Sequence, residues 1–435
     1  MRGTSNGFVD PKAALVVAGG AVLAVAAAVT RLGHRRVLPR GVALPLAALL
    51  AWSAVAAAAS PWRRLALVGH FASRHGLLEL VAFAGVLMGT AAVTRGSDVR
   101  RTLAVLWFGA GSVVLGYGLL QLHDRLTTWG GTWDPLWWPP SSFGHTIWST
   151  LGNPDDLAGF LAILLPVGAV LWADGARWRR WVSGVMLAAL LVELAATSGR
   201  AAWVGAGAAA VVLLAGGRPG RRAVAVLAAG GAAVVAVTVA LAVTGNAKYD
   251  LGALAATGPG TTVDQRVELW RAAGRMAVDR PLVGIGPDAF GPALFEYRSD
   301  RFVQRFGALT TATDPHDVVA TWLATTGVPG LAAFSWLVVA VAMAVRRIHP
   351  AAPDAVLALG LAAALVAWLV ESLGYRQSLA LDLCAWALAG LALAPGAWRD
   401  GSGAQPGADP AAEPTGDPTP APAAVTAGAE QRYQP

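Results

Sequence analysis

The 435-residue chain is poor in cysteine, lysine and charge. Its single cysteine, Cys384, has no partner in the sequence, which excludes disulfides within the chain and thiolate metal sites. Lys12 and Lys248 are the only lysines, so the net charge of +7 comes almost entirely from arginine. Charged residues make up 14% and hydrophobic residues 55% of the chain, which is more apolar surface than a soluble domain can bury. The composition therefore predicts a polytopic membrane protein.

Nucleic-acid binding and several enzyme classes also lack support in the sequence. No base-stacking aromatic residues alternate with a basic groove, so the arginine excess fits anionic lipid headgroups and predicts no nucleic-acid partner. No second histidine stands at a metal-ligand spacing, and no phosphate-binding glycine loop or nucleophile elbow occurs. We therefore expect no metal ion and no cofactor, and neither a hydrolase nor an ATP-driven pump.

About eleven apolar runs approach the length that a helix needs to cross a bilayer. They lie near Ala13–Thr30, Gly41–Ser60, Gly76–Thr94, Thr102–Gln121, Leu157–Trp172, Val182–Ala196, Ala201–Ala215, Ala223–Thr244, Val328–Val345, Ala355–Glu371 and Leu379–Pro395. The sequence thus predicts an all-α membrane domain over residues 1–400. The remaining segment, 401–435, is rich in proline, alanine and glycine, and we expect a disordered cytoplasmic tail there.

Arginine-rich connections occur at every second loop, for example at Arg177–Arg180 and Arg218–Arg222. Because short basic loops stay in the cytoplasm, this parity predicts an external N-terminus, a cytoplasmic C-terminus and a large extracytoplasmic loop, Gly245–Pro315. The predicted outer segment Pro61–His75 departs from the pattern, since it holds three arginines. Either the count of spans is off by one there, or these arginines bind an anionic ligand.

The large loop contains a predicted amphipathic helix, Thr262–Val278, with a capping box formed by Thr262 and Gln265. Five residues gather on its apolar face: Val263, Val267, Trp270, Gly274 and Ala277. Five others gather on its charged face: Asp264, Glu268, Arg271, Arg275 and Asp279. Arg266 lies beside the apolar stripe, where an unpaired guanidinium is costly without an anionic partner. It could alternatively snorkel to headgroups or pair with a loop carboxylate.

Three further positions are candidates for chemistry. Arg200 stands in a very short predicted outer turn, where it can present its planar fork to a diphosphate or anchor a helix at the membrane interface. Asn153 precedes a proline at a predicted helix start, and it could also bind an acceptor. His316 precedes a short predicted helix, Asp317–Thr326, that breaks at Gly327–Gly330. A histidine there has the pKa range of a general base, and capping or packing is the alternative.

These motifs together resemble the O-antigen ligase and polymerase superfamily. The resemblance rests on their order along the chain: Ser-Gly-Arg-Ala-Ala-Trp, then Arg-x-x-x-Trp with Pro-Leu-Val-Gly-Ile-Gly-Pro-Asp-Ala-Phe, then Pro-His-Asp with Gly-Val-Pro-Gly-Leu. It covers roughly Leu191–Phe334, and Gly152-Asn153-Pro154 is similar to a further family segment.

The resemblance implies a metal-independent membrane glycosyltransferase with a helical fold of the GT-C type. Its donor would be a polyprenyl diphosphate-linked glycan, and its acceptor a glycan or lipid-linked molecule outside the cell membrane. Arg200 and Arg266 would hold the diphosphate, and His316 would stand near the acceptor hydroxyl. Asn153, Asp317 and Trp270 are further candidates for substrate binding; Asp317 replaces the usual asparagine and could orient His316 and raise its pKa.

Several alternatives stay open at the level of the sequence. The enzyme could polymerise repeat units instead of ligating a finished chain. A membrane transporter of a small solute or a lipid-linked intermediate needs ionisable groups near mid-span, where Glu193 is the main candidate, although we expect Glu193 to pair towards Arg200. A non-enzymatic membrane scaffold is the third alternative.

Overall fold

The structure of the chain is a computed structural model. It describes residues 9–32, 37–70, 73–94, 109, 111–123, 147–174, 176–197, 199–216, 221–222, 224–229, 231–232, 261–347, 355–375 and 378–394. These residues form helices and connecting turns without any strand. The all-α prediction is therefore confirmed for this part of the chain. The domain boundary at residue 400 and the disordered tail fall outside the described residues and stay predictions.

Thirteen α-helices have defined bounds in the described residues. They are α1 (Val9–Leu32), α2 (Arg40–Ala59), α3 (Arg63–Val68), α4 (Leu77–Val93), α5 (Pro154–Asp174), α6 (Arg177–Thr197), α7 (Arg200–Ala215), α8 (Thr262–Asp279), α9 (Phe290–Tyr297), α10 (Asp300–Phe306), α11 (Val318–Arg346), α12 (Ala355–Ser372) and α13 (Leu379–Ala392). Residues 111–123 are also helical.

Five of these helices are long and apolar enough to cross a membrane: α1, α2, α5, α6 and α11. The helices α4, α7, α12 and α13 are also apolar but shorter. Large aliphatic side chains such as Leu15, Val22 and Val211 are well exposed on their surfaces, which suits contact with lipid. The chain is therefore a membrane protein, although the predicted count of eleven spans is not confirmed. Three of the predicted spans lie partly outside the described residues: Thr102–Gln121, Ala223–Thr244 and Leu379–Pro395.

The apolar helices pack around two hydrophobic cores. The first core joins α5, α6, α7 and α12, with Leu161, Leu190 and Leu361 fully buried inside it. The second core joins α1, α2, α4 and α11. Helix α13 contributes to both, through Leu381 on one side and Trp386 on the other, and so holds the two groups together. Small residues allow the closest of these contacts, because a side chain added at Gly85 of α4 would meet the backbone oxygen of Gly20 of α1 at 2.4 Å.

A third, smaller core lies in the loop region that follows residue 261. It is built by Leu269 and Met276 of α8, Phe290 of α9 and Phe302 of α10, and it packs against Ala324 of α11. Because its members come from separate short helices, this core gives the loop a defined shape and attaches it to the membrane helices. The large loop is therefore a packed helical unit over its described part.

Helix α11 is broken at Gly327, where the backbone leaves the helical region with φ 71° and ψ −173°. The segment 281–286 fills the break: the Val328 N–H donates to the Pro281 carbonyl at 2.8 Å, and the Ile285 N–H donates to the Ala324 carbonyl at 3.0 Å. The indole of Trp52 donates to the Thr326 carbonyl at 2.9 Å. These bonds pair backbone groups that the interrupted helix cannot satisfy itself. The predicted break after Thr326 is confirmed.

Candidate functional site

Arg200 is the first residue of α7, which packs against α5 and α12. Its guanidinium reaches across to the loop region, where Nη2 donates a hydrogen bond to Thr262 Oγ1 at 2.8 Å. Thr262 is the first residue of α8, and Arg266 stands one turn later on the same helix. The structure thus brings together two arginines that are 66 positions apart in the sequence.

Arg266 is half-buried, and its surroundings are strongly charged. Burial and the neighbouring Arg200 lower the pKa of its guanidinium, while Asp155 and Glu371 act in the opposite direction. Within the part of the chain that the structure describes, Arg266 makes no hydrogen bond or ion pair. A partly desolvated guanidinium beside a second one favours an anion with several oxygens, because the fork of each arginine can bind two of them.

His316 lies two residues before the first residue of α11, in a left-handed conformation with φ 58°. Asp314 holds it in two ways: Oδ1 accepts the His316 N–H at 2.8 Å and also lies 3.1 Å from the imidazole Nδ1. Burial lowers the pKa of His316, but the Asp314 carboxylate more than offsets this effect, so the pKa lies above its usual value. Arg266 acts in the opposite direction and lowers the pKa of His316. The arrangement is that of a base oriented by a carboxylate.

The carboxylate that contacts the His316 imidazole therefore belongs to Asp314. The sequence analysis had proposed Asp317 for this role. Asp317 caps α11 instead, because its Oδ1 accepts the Ala320 N–H at 2.7 Å. Nothing in the described contacts of Asp317 points to a substrate. The sequence signal for Asp314 was present in Asp-Pro-His-Asp, but two aspartates flank the histidine and their roles depend on the backbone turn between them.

Tyr375 is a site residue that the sequence analysis missed. It lies near the end of α12, and its ring meets the His316 ring edge-on with centroids 6.5 Å apart. Its hydroxyl donates to Asp156 Oδ1 at 3.0 Å and lies 3.2 Å from Asn153 Oδ1. Tyr375 thereby links the histidine to the start of α5, although 59 residues separate it from His316 in the sequence.

Asn153 has the structural role that its sequence context predicted. Its Oδ1 accepts the Asp155 N–H at 2.8 Å, and Pro154 follows as the first residue of α5. The contact with Tyr375 adds a second role, because it fixes the helix start against the wall of the site. Binding of an acceptor by Asn153 stays a prediction.

The two faces of α8 differ from those predicted. Thr261 caps the helix in place of Thr262, since its side chain accepts the Asp264 N–H at 3.4 Å. The buried residues are Glu268, Leu269, Ala272, Ala273 and Met276, whereas Trp270 is 41% exposed. Glu268 is buried because Arg271, Arg301 and Ser299 pair with its carboxylate, and the last two come from the segment after α9. Trp270 points away from the third core, so its predicted substrate role stays a prediction.

Two more findings bear on the alternatives. Glu193 is fully buried in α6, and its carboxylate makes no hydrogen bond with any described residue, so the expected pairing towards Arg200 is wrong. Its Oε1 lies beside Gly118, where a Cβ atom would be 2.2 Å away.

Among the described residues, no group of three or more histidine, cysteine or acidic side chains is arranged to hold a metal ion.

Comparison with known proteins connects this geometry to a family. The family model described as O-antigen ligase matches residues 185–335, which include Arg200, Arg266 and His316. A search of the curated proteins gives no match. Asn153 and Tyr375 lie outside the matched segment although they contact its site. The segment 185–335 is thus similar to the O-antigen ligase family, in agreement with the resemblance of its motifs.

Proposed function

We propose that the protein transfers a saccharide from a polyprenyl diphosphate-linked donor to an acceptor hydroxyl on the outer face of the cell membrane. The observation that carries this proposal is the pair of adjacent guanidiniums, of which Arg266 has no partner among the described side chains. The match of residues 185–335 to the O-antigen ligase family supports an enzyme of polysaccharide assembly. Either a finished chain or a repeat unit could be the saccharide, so ligation and polymerisation are both included.

The diphosphate would bind between Arg200 and Arg266. Breaking the bond between the anomeric carbon and the diphosphate oxygen leaves negative charge on the diphosphate, and two fixed guanidiniums stabilise that charge where little water competes. The charge is then compensated without a divalent ion. Thr262 supports this role, because its hydroxyl holds the Arg200 guanidinium beside α8.

His316 would accept the proton of the acceptor hydroxyl. Its Nδ1 contacts Asp314 at 3.1 Å, which leaves Nε2 for the acceptor. The raised pKa, caused by Asp314 against the effect of burial, makes the imidazole a stronger base than a free histidine. Asn153, Tyr375 and Asp156 would form the wall against which the acceptor lies.

The wider architecture is part of the same proposal. We infer about eleven spans in a GT-C-like arrangement, with membrane lipids around them and the loop after α7 outside the cytoplasm. Ser60, directly after α2, donates a hydrogen bond from its hydroxyl to the carbonyl of the loop residue Ile285 at 2.7 Å. This bond supports a location of the loop and of the segment 61–75 on the same side of the membrane. A reporter that is active only outside the cytoplasm should therefore work when fused within Gly245–Pro315 and fail within Arg218–Arg222. Activity in the reverse pattern contradicts the orientation.

The proposal is tested with purified protein, lipid-linked donor and acceptor. Arg266→Ala should lower transfer by roughly 10²-fold or more, the loss typical of a removed transition-state donor. Arg266→Lys should restore only part of it, because an ammonium group lacks the planar fork. Arg275→Ala is the matched control: Arg275 lies on the same helix but is exposed, and among the described residues its side chain donates a hydrogen bond only to the Tyr297 carbonyl.

Equal transfer by Arg266→Ala and Arg275→Ala, at the same protein level, would remove Arg266 from the site. In cells, loss of the protein should deplete surface glycan and accumulate its lipid-linked precursor. Transport of a solute into vesicles without any glycosyl transfer would instead support the transporter alternative.

A further inference from the structure

A polar cavity lies beside Asp314, the partner of His316. It has a volume of about 70 Å³, and its polar wall is formed by side chains from five different parts of the chain. They are Ser53 of α2, His75 and Glu79 at the start of α4, Asp288 of the loop, Trp322 of α11, and Asp382 of α13. Asp314, the partner of His316, is part of the same wall. We call this cavity the polar chamber.

The polar chamber contains an unusual number of unsatisfied groups. Four of its buried polar atoms have no hydrogen-bond partner among the described residues: Ser53 Oγ, His75 Nε2, Glu79 Oε1 and Trp322 Nε1. Ser53 and Glu79 are almost completely buried, at 0% and 4% exposure. Buried polar groups are normally paired, so donors and acceptors that converge on one cavity indicate a polar occupant.

The size of the polar chamber indicates what that occupant is. One water needs roughly 10–15 Å³ of such space, so a cavity of about 70 Å³ holds a handful of waters. A sugar ring with its hydroxyl groups needs more room than this, and the stacked pair of Trp322 and Phe334, with centroids 5.0 Å apart, closes one side. The occupant is therefore a cluster of waters.

The charges around the polar chamber favour a proton. Glu79 Oε2 lies 2.6 Å from His75 Nδ1, and Asp382 Oδ2 lies 3.9 Å from His75 Nε2. Asp288 completes the group and accepts the His75 N–H at 3.0 Å. Burial lowers the pKa of His75, but these three carboxylates raise it to about 10. One imidazolium thus faces three carboxylates from three elements, and Asp314 adds a fourth carboxylate to the wall of the polar chamber. The negative charges outnumber the positive one, and the chamber therefore attracts a proton.

We propose that the polar chamber is a water-filled proton store for the transfer reaction, and that Glu79 is its terminal acceptor. The inference rests on the proposed function. As the acceptor oxygen forms its bond to the anomeric carbon, the O–H bond of the acceptor breaks. The bond between the anomeric carbon and the diphosphate oxygen also breaks, and the diphosphate leaves with the electron pair of that bond. The proton passes to His316 Nε2, while the Nδ1 proton passes to Asp314 and on through water to Glu79 Oε1. It returns to solvent before the next turnover.

Glu79 contacts no substrate in this scheme. It acts through His316, as a positioning residue that finally receives the proton. The first test is Glu79→Gln in the full-length purified protein, which keeps a hydrogen bond to His75 but cannot take the proton. Single-turnover transfer should fall by roughly tenfold or more, with donor affinity unchanged, and added imidazole should restore part of the rate. Wild-type protein should not respond to imidazole. Glu193→Gln is the matched control, since it removes an equally buried carboxylate away from the chamber and should leave rate and imidazole response unchanged.

A second test changes the water and leaves the acids in place. Ser53→Leu fills the polar chamber with an aliphatic side chain, whereas Ser53→Ala leaves the space for water. The leucine variant should transfer more slowly than the alanine variant at equal melting temperature and equal donor affinity.

The outcomes separate the two proposals. Suppose that the wild-type protein transfers the saccharide. Any one of three results would then overturn the proton store alone: an unchanged rate in Glu79→Gln, a loss of rate in Glu79→Gln that imidazole does not reverse, or equal rates in the two Ser53 variants. No transfer by wild-type protein would refute the proposed function and the store with it.

Discussion

Replacing Gly327 by alanine should destabilise the protein far more than an ordinary glycine substitution. With φ 71° and ψ −173°, its backbone occupies a region that is essentially restricted to glycine, at a cost of about 1–3 kcal/mol for other residues. The added Cβ would also lie 2.3 Å from the Leu282 carbonyl oxygen, so segment 281–286 must move away. That movement weakens the 2.8 Å bond between Val328 and Pro281, and each buried backbone group left unpaired costs about 1–3 kcal/mol. We expect a total loss of about 4 kcal/mol.

Thermal unfolding in detergent, followed by intrinsic fluorescence, measures this effect. The matched control is Gly274→Ala in α8, where no atom lies within 4 Å of the added Cβ and alanine should be neutral or stabilising by up to about 1 kcal/mol. Gly327→Ala should melt well below both the wild-type protein and this control. If the two variants melt at the same temperature, the break in α11 does not depend on the conformation described here.

Three further predictions concern the site and the loop region. Asp314→Asn removes the group that raises the pKa of His316 against burial. Because only the unprotonated base is active, the acidic limb of the pH–rate profile should move to lower pH, and an unmoved limb argues against the pair. Thr262→Val should weaken donor binding by roughly tenfold, because Arg200 loses a 2.8 Å hydrogen bond, whereas Thr262→Ser should bind normally in the same titration. Glu268→Ala should lower the free energy of unfolding by about 1–3 kcal/mol, since its buried carboxylate joins α8 to the segment after α9, and an unchanged melting curve would exclude this role.

The sequence predicts those parts of the fold that depend on long, uniform patterns. Apolar runs such as Gly41–Ser60 and Leu157–Trp172 coincide with α2 and α5, because a helix in lipid requires only length and low polarity. The break at Gly327 was also predictable, since glycine and proline cluster there. Local chemistry is sufficient in these cases.

Features that depend on distant partners were not predictable in the same way. The buried face of α8 includes Glu268, and only its pairing with Arg301, which comes 33 positions later, makes that burial possible. Tyr375 belongs to no motif, and it enters the site because α12 ends beside His316. Motif order makes Arg200, Arg266 and His316 candidates, but which aspartate contacts the histidine follows from the turn at His316.

The joint between segment 281–286 and α11 has a consequence for how the sequence can vary. Its bonds run between backbone groups, while the side chains of Leu282 and Val328 are 64% and 56% exposed. Saturation mutagenesis should therefore find that many amino acids are accepted at these two positions. At Gly286 it should find that no other residue is accepted, because a Cβ there would lie 2.3 Å from Ser60 Oγ. Natural homologues should show the same contrast: positions 282 and 328 should vary, whereas the glycine at position 286 should be invariant.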